Sequence, residues 1–289
     1  MPAHNRLTFP VSSSHPVKPG VRKKRVRRSW KRSLRSVWRW RGIRWARRKL
    51  ATVPTTLLIA FVVATIFAAA TLVNVVYQVI RKPTELFFFV GGALDKVPGE
   101  TWRQYGTLFR KYSTDTISPE LLAALAQVES TGNPLVRTYW RWRLTWNPFG
   151  LYKPASSAVG LFQMTDAAYA EASRYCVRRH AVVDADCWFN SLYIRGVPSH
   201  AVELAAIYLD RNVAAVLAYA TDKTASPQEK QDLAVVIHLC GAGPARGFVS
   251  RGFRVMAGER CGDHLVANYL AKVNGMKREF GRLAVNNQN

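Results

Sequence analysis

The sequence predicts a mostly α-helical domain behind a single transmembrane helix and a basic, disordered tail. The first 50 residues hold 17 of the 42 Lys and Arg and no Asp or Glu, so the other 239 carry only +7 of the net +24. Residues 51–80 contain no charged side chain, and Leu57 to Val76 alone supply the ~20 apolar residues that cross a bilayer. Beyond residue 99, apolar residues recur at three- and four-residue spacing between capping signals, and strand-like alternation is confined to Tyr139–Trp146.

Residues 1–50 form the tail. Met1 to Gly20, rich in Pro, Ser and His, cannot bury enough surface to offset its ordering entropy and is expected to be disordered. Val21 to Lys49 interleaves Arg and Lys with Trp30, Trp38, Trp40 and Trp45, which suits an anionic leaflet. The same composition can bind nucleic acid nonspecifically. Lipid is favoured because the segment abuts the span, so nucleic acid is not an expected partner. Only Arg81 and Lys82 follow the span, and the positive-inside rule places the N-terminus in the cytoplasm and the domain outside. Ala68-Ala69-Ala70 fits a cleavage site, but the charged region before it is far too long, so an uncleaved anchor is expected. Residues 81–98 form a juxtamembrane stalk. Its apolar run Leu86 to Gly92 either lies along the outer interface or begins the buried part of the domain at 99–289.

Within the domain, Gly99 to Tyr112 reads as a helix with Trp102, Tyr105, Phe109 and Tyr112 on one face. It should pack on a second helix with Ser118 as N-cap, Pro119 at its first position and Gly132-Asn133-Pro134 as its stop. Leu122, Leu125 and Glu129 share the core-facing stripe of that second helix. Burial and the negative end of the helix dipole both push such a carboxyl upward, and an acid protonated near neutral pH serves as a general acid. On that reading Glu129→Gln leaves stability unchanged or raised. The spacing also fits a Glu at the stripe's edge that reaches solvent or pairs with an Arg.

Further on, Thr165 caps a helix through Ala168 to about Arg179, and Val202 to Val216 forms a long amphipathic helix. Ser226-Pro227-Gln228-Glu229 is a capping box for a helix that ends near Gly241, and Asp263 caps a last one carrying Leu265, Val266, Tyr269, Leu270 and Val273. All four cysteines follow the span. Sequence neighbours suggest Cys176 with Cys187 and Cys240 with Cys261, although three connectivities exist and free buried thiols are the other reading. No Cys-x-x-Cys or close His pair marks a metal site.

The run Ala124-Leu125-Ala126-Gln127-Val128-Glu129-Ser130, then Gly132-Asn133-Pro134, then Ser157-Ala158-Val159-Gly160-Leu161-Phe162-Gln163-Met164-Thr165, resembles the paired signature of the lytic transglycosylase (SLT) domain. The resemblance covers roughly Trp102 to Phe280. It implies a lysozyme-like fold, Glu129 as catalytic acid, and Ser130, Gly160, Gln163 and Met164 around a glycan cleft. The family's third motif, Ala-Tyr-Asn-Ala-Gly-Pro, reads here Leu239-Cys240-Gly241-Ala242-Gly243-Pro244. The Tyr-Asn pair is missing, which directs attention to His238 and Gly241 as substrate-binding residues.

The resemblance thus implies a bacterial inner-membrane protein whose periplasmic domain cuts peptidoglycan between N-acetylmuramic acid and N-acetylglucosamine, forming 1,6-anhydro ends without metal or cofactor. Only Asp166 and Glu171 lie near the motifs as further acids. The Tyr139–Trp146 insert offers Trp140, Trp142 and Trp146 to sugar rings or to a hydrophobic edge, with Arg141 and Arg143 facing lipid or acidic stem peptides. Other readings are a goose-type muramidase, a non-catalytic glycan-binding scaffold of a secretion or conjugation machine, and a membrane-tethered nucleic-acid binder.

Overall fold

The computed structural model describes residues 54–81, 91–219 apart from 137, 139, 144, 146 and 151, and 224–286. The basic tail, the Leu86–Val90 part of the stalk's apolar run, and Tyr139 and Trp146 of the insert lie outside the described residues. Helix α1 is Thr55–Arg81, and its stretch Thr55–Ile80 is long and apolar enough to cross a membrane. The chain divides after Ile66 into two units, and the following description concerns residues 67–289.

Seven helices follow α1 among the described residues: α2 (Pro98–Tyr112), α3 (Pro119–Ser130), α4 (Asp166–Ala172), α5 (Pro198–Ala218), α6 (Pro227–Cys240), α7 (Ala242–Ser250) and α8 (Val266–Asn286). Among the described residues strand is limited to three antiparallel pairs: β1 (Trp140–Trp142) with β2 (Tyr152–Pro154), β3 (Cys176–Arg178) with β4 (Ala181–Val183), and β5 (Arg260–Cys261) with β6 (His264–Leu265). The domain is therefore mostly α, as the sequence indicates.

Helix α3 forms because its ends are well specified. Ser118 Oγ accepts the Leu121 N–H, Pro119 sits in the first turn, and Thr131 takes a left-handed φ of 51° that closes the C-terminus. Leu121 to Ala126 are fully buried, Gln127 nearly so, and the alanines let α2, α5 and α8 approach closely. Trp102 of α2 meets Phe280 of α8 at 5.7 Å between ring centroids. Thr101 Oγ1 donates to Gln127 Oε1 at 2.6 Å, Gln127 Nε2 to the Lys96 carbonyl at 2.8 Å, and the Lys96 N–H to the Thr131 carbonyl at 2.8 Å. The segment entering the domain is thus fastened to the end of α3.

The structure corrects the sequence in three places. The helix expected to reach Arg179 stops at Ala172, and the chain continues as β3–β4, so strand is not confined to the insert. Its β-branched Val177, Val182 and Val183 favour extension, Arg179 and His180 take positive φ at the turn, and the Val177 N–H donates to the buried carboxylate of Glu203 at 2.9 Å. Asp263 lies in the β5–β6 turn rather than capping the last helix, which begins at Val266. Helix α7 went unseen because Gly and Pro mask its period.

Disulfides join Cys176 to Cys187 and Cys240 to Cys261, closing loops of 11 and 21 residues. Loop-closure entropy makes each worth about 3 kcal/mol. Denaturant unfolding of Cys→Ala pair variants should show that loss for either bridge. Only the Cys240–Cys261 pair should also lower activity, because it joins the end of α6 to the turn that carries His264.

Candidate active site

Glu129 occupies the last turn of α3, where the buried helix reaches a cleft. Its side chain lines two cavities of about 320 and 630 Å³ that share Thr138, Gln163 and His264 as walls. Oε1 accepts a short hydrogen bond from the Tyr269 hydroxyl of α8, and His238 Nε2 of α6 lies 3.6 Å away. Oε2 has no protein partner among the described residues.

Burial alone pushes this carboxyl up, as expected from the sequence. The hydrogen bond and charge of His238, then the Tyr269 hydroxyl and the charge of His264, outweigh it and hold the carboxyl below its usual value. The expected upward shift is therefore reversed, because three side chains from α6, β6 and α8 converge on an acid that local sequence shows only as buried. Burial and the Glu129 charge in turn raise the Tyr269 phenol well above 10.0, so it stays a donor.

The second wall is the turn after Val159. Val159 and Met164 pair as an isolated bridge, and Gly160 between them takes φ 80° with the Arg195 carbonyl where a β-carbon would stand. Gln163, itself at φ 44°, donates Nε2 to the Val136 and Gly160 carbonyls at 3.0 Å each and faces both cavities. Met164 and His238 line the smaller one.

Other expected site residues have different tasks. Ser130 is buried, and its hydroxyl donates to the Ala126 and Leu161 carbonyls at 2.7 and 2.9 Å, which ties α3 to the Gly160 turn and leaves nothing for a ligand. Gly160 and Gly241 line neither cavity; Gly241, at φ 81°, joins α6 to α7. Trp140 and Trp142 line neither cavity. Asp166 pairs with Arg195 at 2.6 Å, and Glu171 accepts from Asn212 at 2.8 Å, so neither is a cleft carboxylate. Asp263 does line the larger cavity, as a second, exposed acid.

Tyr269 and His264 are the residues that sequence reasoning missed. The available signal was weak: a Tyr on the buried stripe of the last helix needs a partner for its hydroxyl.

Residues 107–226 match the family model described as the transglycosylase SLT domain. This stretch is similar to the SLT domain of lytic transglycosylase-type enzymes that act on peptidoglycan. No curated protein matches the chain. The SLT match spans Glu129 and the Gly160–Met164 turn. It ends before His238, His264 and Tyr269 of the cleft and before Gly241 of the third motif.

Because the Glu129 carboxyl is held below its ordinary 4.5, it contributes stability above that pH, which is lost as pH falls through the folded-state value. Glu129→Gln should therefore destabilise the protein at pH 7, by on the order of 1 kcal/mol for the weakened hydrogen bond, rather than leave it unchanged. Melting curves from pH 7 to 3 should show the gap between the two proteins closing toward acid pH.

Proposed function

We propose that the protein is a membrane-anchored lytic transglycosylase, with α1 in a bacterial inner membrane, the N-terminus in the cytoplasm and the SLT domain in the periplasm. The supporting observation is the setting of Glu129. It is an acid buried at the end of α3, with one oxygen held by Tyr269 and the other turned to a cleft lined by Gln163.

In the resting cleft the carboxylate form is favoured. A glycan strand that fills the cavities removes the remaining water, and the burial effect, already the largest on this group, then raises the carboxyl and loads it with a proton. Glu129 Oε2 gives that proton to the glycosidic oxygen as the bond to C1 of N-acetylmuramic acid breaks. The resulting carboxylate takes the proton of the C6 hydroxyl as O6 closes onto C1. No water is consumed, and the proximity of the internal hydroxyl replaces an activated water. Gln163, tied to two carbonyls, gives the sugar a fixed polar wall.

The observable product is a 1,6-anhydro end, one water lighter than a hydrolytic product. Glu129→Gln should lower turnover by 10² to 10⁴, roughly the size of a general acid's contribution. Asp263→Asn should leave both rate and product unchanged. Mass spectra of digested peptidoglycan with fully hydrated ends, abolished in Asp263→Asn, would establish the muramidase reading with Asp263 as base. Retention of glycan without cleavage by the wild type would establish the scaffold reading, which the missing Tyr-Asn pair favours.

His238 contributes the largest of the effects that lower the Glu129 carboxyl, so its removal leaves burial less opposed. In His238→Gln the activity should persist to higher pH than in the wild type, read from kcat/KM against pH. An unshifted profile would show that His238 does not act on Glu129.

A further inference from the structure

The aromatic insert packs along α1 rather than in the cleft. Trp140 and Trp142 stack on Tyr152 at 5.0 and 4.5 Å between ring centroids, and Trp142 also meets Phe67 at 6.1 Å. Asn74 and Gln78 of α1 are buried and donate to the Tyr152 and Phe149 carbonyls at 3.0 and 2.7 Å. Polar residues in a membrane-crossing helix face a protein partner rather than lipid, and here the partner is the β1–β2 hairpin. The hairpin thus lies against the last turns of α1, from Phe67 to Gln78, roughly 16 Å of helix.

The opposite face of the hairpin is charged. Register places Arg141 directly across from Lys153. Like charges directly opposite are unfavourable, and neither cation has a hydrogen-bond or carboxylate partner among the described residues. Both line a cavity of about 260 Å³ that also takes in Gln78, Ser157, Asp166 and Arg195. Arg195 is committed to Asp166 at 2.6 Å and to the Ser157 and Met164 carbonyls at 3.0 and 2.7 Å. The one carboxylate of the cavity is therefore already neutralised, and two positive charges converge on empty space beside α1.

Depth in the membrane identifies the anion. A hydrocarbon crossing of about 20 residues, counted from Thr55 at the start of α1, ends near residue 74. Asn74 then stands at the edge of the hydrocarbon, and Gln78 and the cavity it lines fall at headgroup level. The segment leading into Arg195 also exposes Leu192 and Ile194.

We propose that this cavity binds the phosphate of a membrane lipid, with Arg141 presenting its planar fork and Lys153 a point charge. The inference rests on α1 being a membrane span, as read under the proposed function. Two sources share the chemistry: the headgroup of an anionic phospholipid, and the diphosphate of a polyprenyl carrier attached to a growing glycan strand. The second would bring a membrane-bound strand to a cleft whose wall residues Thr138 and Ala158 flank the hairpin.

The test uses the full chain in detergent, titrated with phosphatidylglycerol and, separately, with phosphatidylcholine, with bound lipid counted by native mass spectrometry. The basic tail contributes equally in every variant and cancels. The double variant Arg141→Gln, Lys153→Gln should lose one phosphatidylglycerol site, an affinity loss of about thirty-fold. Arg143→Gln, exposed and outside the cavity, should keep it, and phosphatidylcholine should not occupy it. Displacement of phosphatidylglycerol by a polyprenyl diphosphate assigns the site to the carrier lipid, and resistance to displacement assigns it to the phospholipid. Equal retention by wild type and double variant, or displacement by millimolar inorganic phosphate, overturns the proposal. Should the double variant misfold by circular dichroism, Lys153→Gln alone removes the like-charge pair and must still weaken retention. Alkaline extraction of native membranes checks the span separately: release of the protein defeats the anchor reading, whereas a failed lipid titration with retained protein defeats only this site. Glycan cleavage is read independently of both.

Discussion

The structure depends on burying the central turns of α3, from Leu121 to Gln127. A helix enclosed by α2, α5 and α8 cannot tolerate a charge on any of its central turns, and its sequence, almost entirely Leu and Ala there, reflects this. After Glu120 in the half-buried first turn, the next place an acid can stand is the final turn, where the enclosure opens. Glu129 is therefore fixed by the same packing that stabilises the domain. Its surroundings follow from which elements enclose α3: α8 brings Tyr269, the end of α6 brings His238, and the turn after Val159 brings Gln163.

Two polar contacts and one disulfide keep that opening from collapsing. Ser130 ties α3 to the Gly160 turn, Gln163 ties the turn to the Val136 segment, and the Cys240–Cys261 bridge ties α6 to the β5–β6 turn. The tyrosine absent from the third motif has no substitute at its own position. The groups beside Glu129 are a histidine two residues before Cys240 and a tyrosine from the last helix.

Local features of the chain were legible in the sequence. Ser118, Pro119 and the Gly132 stop bounded α3 closely because capping acts over one turn, and the Ser226–Glu229 capping box forms as read. Glu129 and Gln163, which line the same cavities, could be singled out because their motifs are contiguous. What failed was non-local. Tyr269 lies 140 residues from Glu129, so nothing near either announces the contact. The sign of the Glu129 shift was misread for the same reason, since burial and dipole are visible locally and converging side chains are not. Strand β3 was read as helix because its partner, the buried carboxylate of Glu203, sits on α5. Trp140 and Trp142 offered no way to choose between sugar and a hydrophobic edge, because that choice depends on Asn74 and Gln78, which look like ordinary polar residues in an apolar run.

The bonds of Lys96 carry a mechanical consequence. The chain that leaves α1 enters the domain through Asp95 and Lys96, and these are fastened to Asn133, Thr131, Gly132 and Gln127 rather than to a distant surface. Any pull between the apolar helix and the domain along this stretch is delivered within one turn of Glu129. Tension in that short strap and the seating of the acid are therefore borne by the same few hydrogen bonds.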